Sequence, residues 1–242
     1  PLYEFGEIRL AQTALNDDLA RRYVQIQPGT PFSGAQLNAL QLRLINSGYF
    51  NEVAVDIHRD AVVAGRVPVT VSATPRASQN YRLGLGYGTD TGPRITTGME
   101  FRRLNRAGHR LRLDLQASSI RTQGGLEYAI PIRDVSTDLL KFYTRAERAD
   151  IGDADTDQYA VGGRLEDGWL GLRRAIYLEY SHEVFNFGKG PKRVSDVLTP
   201  GIRLSFQRGD DLLFTRRGFS ANVDVHGGVE SLLSDTSFVH AS

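Results

Sequence analysis

Residues 81–87 read Tyr81-Arg82-Leu83-Gly84-Leu85-Gly86-Tyr87, and this stretch decides the fold. Every odd position in it is apolar, and every even position is arginine or glycine. Because successive side chains of a strand point to opposite faces, a period of two predicts a strand with one apolar face and one polar face. A strand of this kind belongs either to a soluble sandwich or to a membrane barrel.

The same alternation recurs through the rest of the chain, with short turns between the segments and no helical pattern. It predicts about ten strands from Asn80 onward. In the third of them, Leu111 and Leu113 alternate with Arg110, Arg112 and Asp114. If the sheet lies in a membrane, the leucine face must meet the lipid, because each arginine at the midplane would cost about 2–4 kcal/mol.

Strand length and the placement of aromatic residues favour the barrel. The segments are near ten residues long, whereas strands of globular proteins most often have about 5–6. Aromatic residues near strand ends also suit the girdles of a membrane barrel. These residues are Tyr81, Tyr87, Phe101, Tyr128, Tyr159, Phe185 and Phe206. The pattern alone leaves the soluble sandwich open as the alternative.

The composition excludes several other classes of protein. The chain has 242 residues, a net charge of +1 and no cysteine. It therefore has no disulfide, no thiolate nucleophile and no cysteine-based zinc site. The balanced charge predicts no nucleic-acid partner, and no apolar run approaches the roughly 20 residues of a spanning helix. Since the sequence begins at Pro1 without a methionine or a signal peptide, we expect a piece of a longer precursor.

Residues 1–76 are predicted to form a small α+β domain with the order β-α-α-β-β. Asn16 is placed to cap a helix over 17–23, and Ser33 begins a second helix with the spacing of a capping box. Gly48 then ends that helix. One face of the second helix carries Leu37, Leu40 and Leu44, with Ile45 beside them. A hairpin over 53–57 and 67–71 follows, and Pro75 and Arg76 form a linker.

A longer stretch carries a resemblance to a known family. Residues 85–94 read Leu85-Gly86-Tyr87-Gly88-Thr89-Asp90-Thr91-Gly92-Pro93-Arg94. This resembles the start of the barrel in the TamA family of outer-membrane assembly factors, within the BamA/TamA superfamily. Gly108-His109 followed by Leu111 continues the match. The stretch 46–53, which contains Asn46-Ser47-Gly48-Tyr49-Phe50 and Val53, is similar to a POTRA domain, the periplasmic module of these proteins.

The resemblance implies a mostly β fold with two parts. Residues 1–76 would be a POTRA-like domain in the periplasm, and 77–242 the N-terminal part of a transmembrane β-barrel in the bacterial outer membrane. The family's barrel has more strands than this sequence supplies, so we expect an incomplete barrel. Arg217-Gly218-Phe219 is similar to the motif of the family's plug loop, but it comes early in the chain, and we assign it to a periplasmic turn.

The candidate site is the backbone edge of the first barrel strand, residues 81–88. Gly84, Gly86 and Gly88 lie on its polar face, and each glycine weakens a strand by roughly 0.5–1 kcal/mol relative to alanine. An edge strand that separates easily can template an incoming strand. The resemblance implies that this edge is a lateral gate for client β-barrels or autotransporters. Alternatively, the glycines make room for a plug loop.

No catalytic, cofactor-binding or metal-binding constellation is predicted, and we expect no enzyme. Asp153, Asp155 and Asp157 resemble half of a calcium loop, but Arg164 stands where a bidentate glutamate is needed. His182 and Glu183 are adjacent on a strand, so their side chains point to opposite faces. The basic stretch 188–193 is either a solvated loop or a contact for lipopolysaccharide phosphates.

The predicted function is insertion of outer-membrane proteins without covalent chemistry, with membrane lipid and client proteins as partners. One alternative is a lipid conduit formed with an inner-membrane-anchored TamB-like protein, which the resemblance also implies. Another is a two-partner secretion channel. A soluble, β-rich binding protein of two domains is the reading that follows if the sheet is a sandwich.

Overall fold

The structure is a computed structural model, and it describes residues 3–135, 137–188, 190–209, 218–228 and 238–241. The described residues form two compact units. The first contains 3–80 together with the two segments 101–110 and 133–135, and the second contains the remainder. In the part of the chain described here, no helix combines the length and the apolar character needed to cross a bilayer.

The first unit is a three-stranded sheet with two helices. Its elements are β1 (Glu4–Ala11), α1 (Asp17–Tyr23), α2 (Gly34–Asn46), β2 (Phe50–Ile57), a 3₁₀ turn (Arg59–Ala61) and β3 (Arg66–Pro75). The strand order is β1-β3-β2, in which β1 runs parallel to β3 and β2 runs antiparallel to it. The predicted β-α-α-β-β order is confirmed, although Pro75 ends β3 and does not open a linker.

The helix boundaries test the predicted caps. Asn16 Oδ1 accepts a hydrogen bond from Leu19 N at 2.9 Å, as expected of an N-cap. Gly48 has a φ of 77°, which only glycine adopts without strain at the end of a helix. Ser33 occupies the N-cap position of α2 in extended backbone, as predicted, but the bond expected of a capping box is absent, because its side chain makes no capping hydrogen bond. Packing of the apolar face therefore holds the start of α2.

The first unit buries its apolar side chains between the helices and the sheet. Leu37, Leu40 and Leu44 of α2 are buried, but Ile45 is 39% exposed because it lies one residue beyond the face that meets the sheet. Val135, from the segment 133–135, is 3% exposed and belongs to the same core. The other buried members include Phe5, Leu15, Leu19, Tyr23, Tyr49, Phe50, Val53, Val69 and Val71.

The second unit is one ten-stranded sheet in which the strands follow each other in sequence order. Its first five strands are β4 (Gln79–Gly88), β5 (Gly92–Phe101), β6 (Arg110–Ser118), β7 (Arg121–Pro131) and β8 (Leu139–Ile151). The other five are β9 (Ala154–Trp169), β10 (Leu172–Phe187), β11 (Arg193–Gly209), β12 (Gly218–Gly228) and β13 (Phe238–Ala241). The expectation of about ten strands is confirmed, and the sheet has the architecture of an incomplete barrel.

Strand length divides this sheet into two regions. The strands β4 to β7 have 9–11 residues, close to the 9–11 that a tilted strand needs to cross a membrane. The strands β8 to β11 have 13–17 residues and exceed that requirement. The pairings β8–β9 and β9–β10 run in unbroken antiparallel register along this whole length.

Candidate functional site at the edge of the barrel-type sheet

Strand β4 lies at one end of the described sheet, where its hydrogen-bonded neighbour is β5. The stretch quoted at the outset, 81–87, falls inside this strand. A strand in this position turns one row of backbone N–H and C=O groups away from its neighbour, and such a row can pair with another strand. The structure thus places all eight predicted gate residues, 81–88, on one edge.

The apolar side chains of β4 form an exposed row. Leu83 is 73% exposed, and Leu85 and Tyr87 are each 80% exposed. Tyr81 extends the row towards the start of the strand and is exposed as well. No described core residue belongs to β4, so this apolar face is available to an apolar medium or to a partner.

The three glycines of β4 meet different surroundings. A Cβ atom at Gly84 would lie 2.5 Å from Thr96 Oγ1 on β5, so glycine makes room for that threonine. At Gly86 nothing lies within 4 Å of the position a Cβ would take. At Gly88 a Cβ would meet the Thr91 hydroxyl in the turn that follows. Local packing explains Gly84 and Gly88, but it does not explain Gly86.

The residues of the family-like motif build the turn between β4 and β5. Thr89 and Asp90 lie in the connection, and Gly92 opens β5 with a φ of 66° that favours glycine. Pro93 follows it, and Arg94 Nη2 donates to Thr91 Oγ1 at 3.4 Å. In this structure the motif therefore fixes the geometry of the turn that closes the first hairpin of the sheet.

An ion pair on the polar face links β4 to the second strand beyond it. Arg82 Nη2 lies 2.7 Å from Asp114 Oδ1 on β6, so the guanidinium crosses over β5. It crosses at Gly98, where a Cβ atom would lie 2.9 Å from both Arg82 Nη2 and Asp114 Oδ1. Sequence reasoning missed this arrangement. The one sign of it in the sequence was Gly98, a glycine at a position of β5 where the alternation predicts a polar side chain.

On the polar face of the described strands, tyrosine side chains cross a glycine in the same way at two further places. Tyr143 of β8 lies over Gly162 of β9, where a Cβ would meet the ring at 2.6 Å, and its hydroxyl donates to Glu179 of β10 at 2.8 Å. Glu179 also pairs with Arg145 at 2.7 Å. Each of these side chains spans three strands, so it fixes the relative position of strands that do not pair directly.

The third crossing joins β10, β11 and β12. Tyr177 lies over Gly201, where a Cβ would overlap its ring, and its hydroxyl donates to Asp224 Oδ1 at 2.8 Å. Asp224 also accepts from Arg203 and lies 3.2 Å from His226 Nδ1. Both rings sit over a glycine that stands directly opposite them in the strand register.

The other candidates from the sequence occupy ordinary structural positions. Asp153 lies in the turn between β8 and β9, and Asp157 pairs with Arg148 at 3.7 Å. His182 Nδ1 lies 2.8 Å from Asp196 Oδ1, a contact between β10 and β11 that the sequence did not indicate. Within the described ranges, no three His, Cys, Asp or Glu side chains come together as metal ligands would. Lys189 of the basic stretch 188–193 and Arg217 of the motif 217–219 lie outside the described residues.

A network of hydrogen bonds joins three segments of the first unit. Tyr49, directly before β2, donates from Oη to Gly108 O at 2.6 Å. Arg110 Nη2 donates to Ser47 O at 2.9 Å, and its guanidinium lies 4.9 Å from the centre of the Tyr49 ring. Tyr23 Oη donates to Val135 O at 3.4 Å. The family-like stretch around Ser47 and Tyr49 thus has a structural role in this unit.

Comparison with known proteins agrees with both units. The family model named POTRA, described as "Surface antigen variable number repeat", matches residues 3–76. BamA from Haemophilus ducreyi lacking POTRA domains 1–3 aligns with a TM-score of 0.72 and 17% identity, over 94% of this chain and 48% of that one. CdiB from Acinetobacter baumannii aligns with a TM-score of 0.60 and 10% identity, over 94% of this chain and 53% of the CdiB chain.

CdiB from Escherichia coli aligns less closely, with a TM-score of 0.52 and 9% identity, over 97% of this chain and 61% of that one. The chain therefore spans about half to three fifths of the solved structures it matches. These likenesses establish the fold of both units. The chain has the fold seen in the BamA structure, a POTRA domain followed by part of a β-barrel.

Proposed function

We propose that this chain is part of an outer-membrane assembly factor that presents the edge of β4 to the strands of client β-barrels or autotransporters. The POTRA domain would stand in the periplasm, and the ten-stranded sheet would stand in the outer membrane. The factor would insert its clients through strand pairing, without covalent chemistry and without a cofactor. Its partners would be membrane lipid and the client proteins.

The observation that carries this proposal is the combination of an edge position with an exposed apolar row on β4. Leu83, Leu85 and Tyr87 lie on the face that a membrane barrel turns towards lipid. A client strand that pairs with β4 would continue this apolar face, and its backbone groups would be satisfied by the edge. Unpaired backbone groups cost several kcal/mol each in hydrocarbon, so the membrane itself favours such pairing.

The polar face supports assembly over a secretion channel lined by acidic residues. Seven described carboxylates of this face lie within 3.9 Å of an arginine. They are Glu100, Asp114, Glu127, Glu147, Glu166, Glu179 and Asp224. A wall whose charges neutralise each other holds strands together but gives little selectivity for ions. Low conductance of the purified protein in planar bilayers is the expected result, and a large, cation-selective conductance would favour the channel.

A lipid conduit that works with a TamB-like partner is the other rival. It would move lipid along the protein and would not require strand pairing at β4. The two roles therefore differ in whether a client strand ever becomes a direct neighbour of this edge.

Disulfide trapping during assembly tests the proposal directly. The chain contains no cysteine, so single cysteines can be placed at Leu83 or Leu85 without background. The probe is an autotransporter β-barrel that carries one cysteine in its last strand. Paired strands bring Cα atoms within the 4.4–6.8 Å that a disulfide requires. We expect cross-links whose partner position shifts by two residues between the Leu83 and Leu85 variants.

A matched control is Val161→Cys, which is also exposed on the apolar face but lies on the interior strand β9. It should not cross-link, because β8 and β10 already pair with β9 on both sides. Absence of any cross-link to Leu83 or Leu85 at every register tried would overturn the proposal.

A further inference from the structure

The polar face carries an arrangement that bears on how the edge strand is held. The Arg82–Asp114 ion pair connects β4 to β6 and passes over β5 at Gly98. Two side-chain hydrogen bonds connect strands in the same way in the interior of the sheet. They join Tyr143 to Glu179 and Tyr177 to Asp224. Ion pairs cross interior strands too, since Arg145 of β8 reaches Glu179 of β10 over β9. What sets β4 apart is its position: in the described sheet it has β5 as a neighbour on one side.

We propose that the Arg82–Gly98–Asp114 crossing is a latch that sets how readily β4 separates from the sheet, and so how readily the edge receives a new strand. The proposal rests on the proposed function, because it assigns a regulator to the same edge. Arg82 is here a positioning residue: its side chain lies on the polar face and acts on the partner strand only through the position of β4.

Strand β4 has few side-chain contacts on its polar face, so the loss of one contact is expected to change how firmly it is held. Gly84 and Gly86 contribute no side chains to the polar face of β4, so Arg82 is the charged group that ties the middle of this strand to its neighbours. Thr97 Oγ1 donates to Arg82 O at 3.2 Å and adds a local contact to β5. An interior strand, by contrast, has ladder hydrogen bonds on both sides and depends less on any one crossing.

The chemistry of the latch makes it weak and reversible. Both side chains are about half exposed, at 48% and 53%, so water and salt reach the pair. An ion pair of this kind changes a local equilibrium by about two- to fivefold. Asp114 also lies 3.8 Å from Arg112, which in turn lies 3.9 Å from Glu100. A second cation is therefore already placed to hold Asp114 when Arg82 leaves.

Gly98 makes the latch testable without removing a charge. In Gly98→Ala, the three atoms nearest to the new methyl group would belong to the ends of the Arg82 and Asp114 side chains, which are flexible. The ion pair would be pushed aside, and the backbone of β5 would not have to move. Arg82→Gln removes the cation, and the double exchange Arg82→Asp with Asp114→Arg restores an ion pair of reversed polarity.

The experiment is amide hydrogen exchange of residues 81–88 in the full-length protein in detergent micelles. We expect exchange to be about two- to fivefold faster in Arg82→Gln and Gly98→Ala, and close to wild type in the double exchange. Raising the salt concentration to 1 M should accelerate exchange in the wild type but not in Arg82→Gln, because the Debye length falls to about 3 Å. Tyr143→Phe is the matched control, and it should leave exchange in β4 unchanged.

The latch and the proposed function fail separately. Unchanged exchange of β4 in both Arg82→Gln and Gly98→Ala would overturn the latch, even if Leu83→Cys still cross-links to the autotransporter barrel. Absence of that cross-link in every variant would overturn the proposed function. Faster exchange in Arg82→Gln and Gly98→Ala would still support the latch. A higher cross-link yield in Arg82→Gln than in Tyr143→Phe would support both.

Discussion

The two sheets of this protein use the same alternating pattern in opposite surroundings. On β3, Val67, Val69 and Val71 are buried, and on β4, Leu83, Leu85 and Tyr87 are largely exposed. Both sets follow a period of two, and both face away from polar neighbours. The two sheets differ in what covers them: helices α1 and α2 pack on the first sheet, whereas the described part of the second unit contains no helix. Alternation thus specifies a strand with two faces, and the medium must be decided from other features.

The largest expected effect tests the buried side of this comparison. Leu40→Ala removes a fully buried side chain of α2 and should lower the free energy of unfolding of the first unit by about 2–5 kcal/mol. Leu85→Ala, on the exposed face of β4, should change it by far less. Denaturant unfolding followed by fluorescence or circular dichroism measures both. Similar losses in the two variants would show that β4 is covered after all.

A charged substitution on the apolar face of the second sheet tests whether that face contacts lipid or water. Leu178 lies in the middle of β10, and its side chain is half exposed. In a bilayer, Leu178→Arg should cost about 2–4 kcal/mol. The neighbouring substitution Glu179→Gln, on the polar face, should leave the sheet in the membrane. Refolding into lipid vesicles at increasing denaturant measures the difference, and equal stability of Leu178→Arg and wild type would point to a soluble sheet.

The helix caps of the first unit give a smaller effect with a built-in control. Asn16→Ala removes the hydrogen bond to Leu19 N and should lower the free energy of unfolding by about 1 kcal/mol. Ser33→Ala removes no side-chain capping bond and should have little effect. Chemical denaturation of both variants makes the comparison. A larger loss for Ser33→Ala would show that its capping box forms in solution.

The smallest effect concerns alkaline pH. Burial raises the pKa of the Tyr23 phenol well above its ordinary value, and the nearby Tyr49 adds to the rise. The folded state therefore keeps this proton after the unfolded chain has lost it. The free energy of unfolding should be unaffected below pH 10 and should fall as the pH rises above about 10. Tyr23→Phe should reduce that fall, and an identical pH profile in both proteins would contradict this assignment.

The sequence predicted the parts of the fold that depend on local pattern. The two helices, the hairpin of β2 and β3, and the ten alternating segments each follow from residues that lie close together in the chain. The spacing predicted the buried face of Leu37, Leu40 and Leu44, but it did not specify whether Ile45 beside them would be covered, because packing against the sheet decides where a helical face ends. The bond expected at Ser33 depends on a rotamer that spacing does not fix.

The candidate site divides in the same way. Strand β4 and its glycines could be predicted from their alternation, but the crossing at Gly98 could not, because it requires the register of β4, β5 and β6 together. Arg82 and Asp114 are separated by 32 positions, and nothing local marks them as partners. The tyrosine crossings over Gly162 and Gly201 were missed for the same reason.

The first unit includes residues that come late in the chain, and this affects when it can finish folding. Its core includes Val135, and the Tyr49 hydroxyl is satisfied by Gly108 O. During synthesis these groups emerge well after residue 76, when several later strands have already been made. The N-terminal domain therefore completes its packing only after residue 135 has been made, and a fragment that ends at residue 76 would lack one core side chain and the acceptor of the Tyr49 hydroxyl.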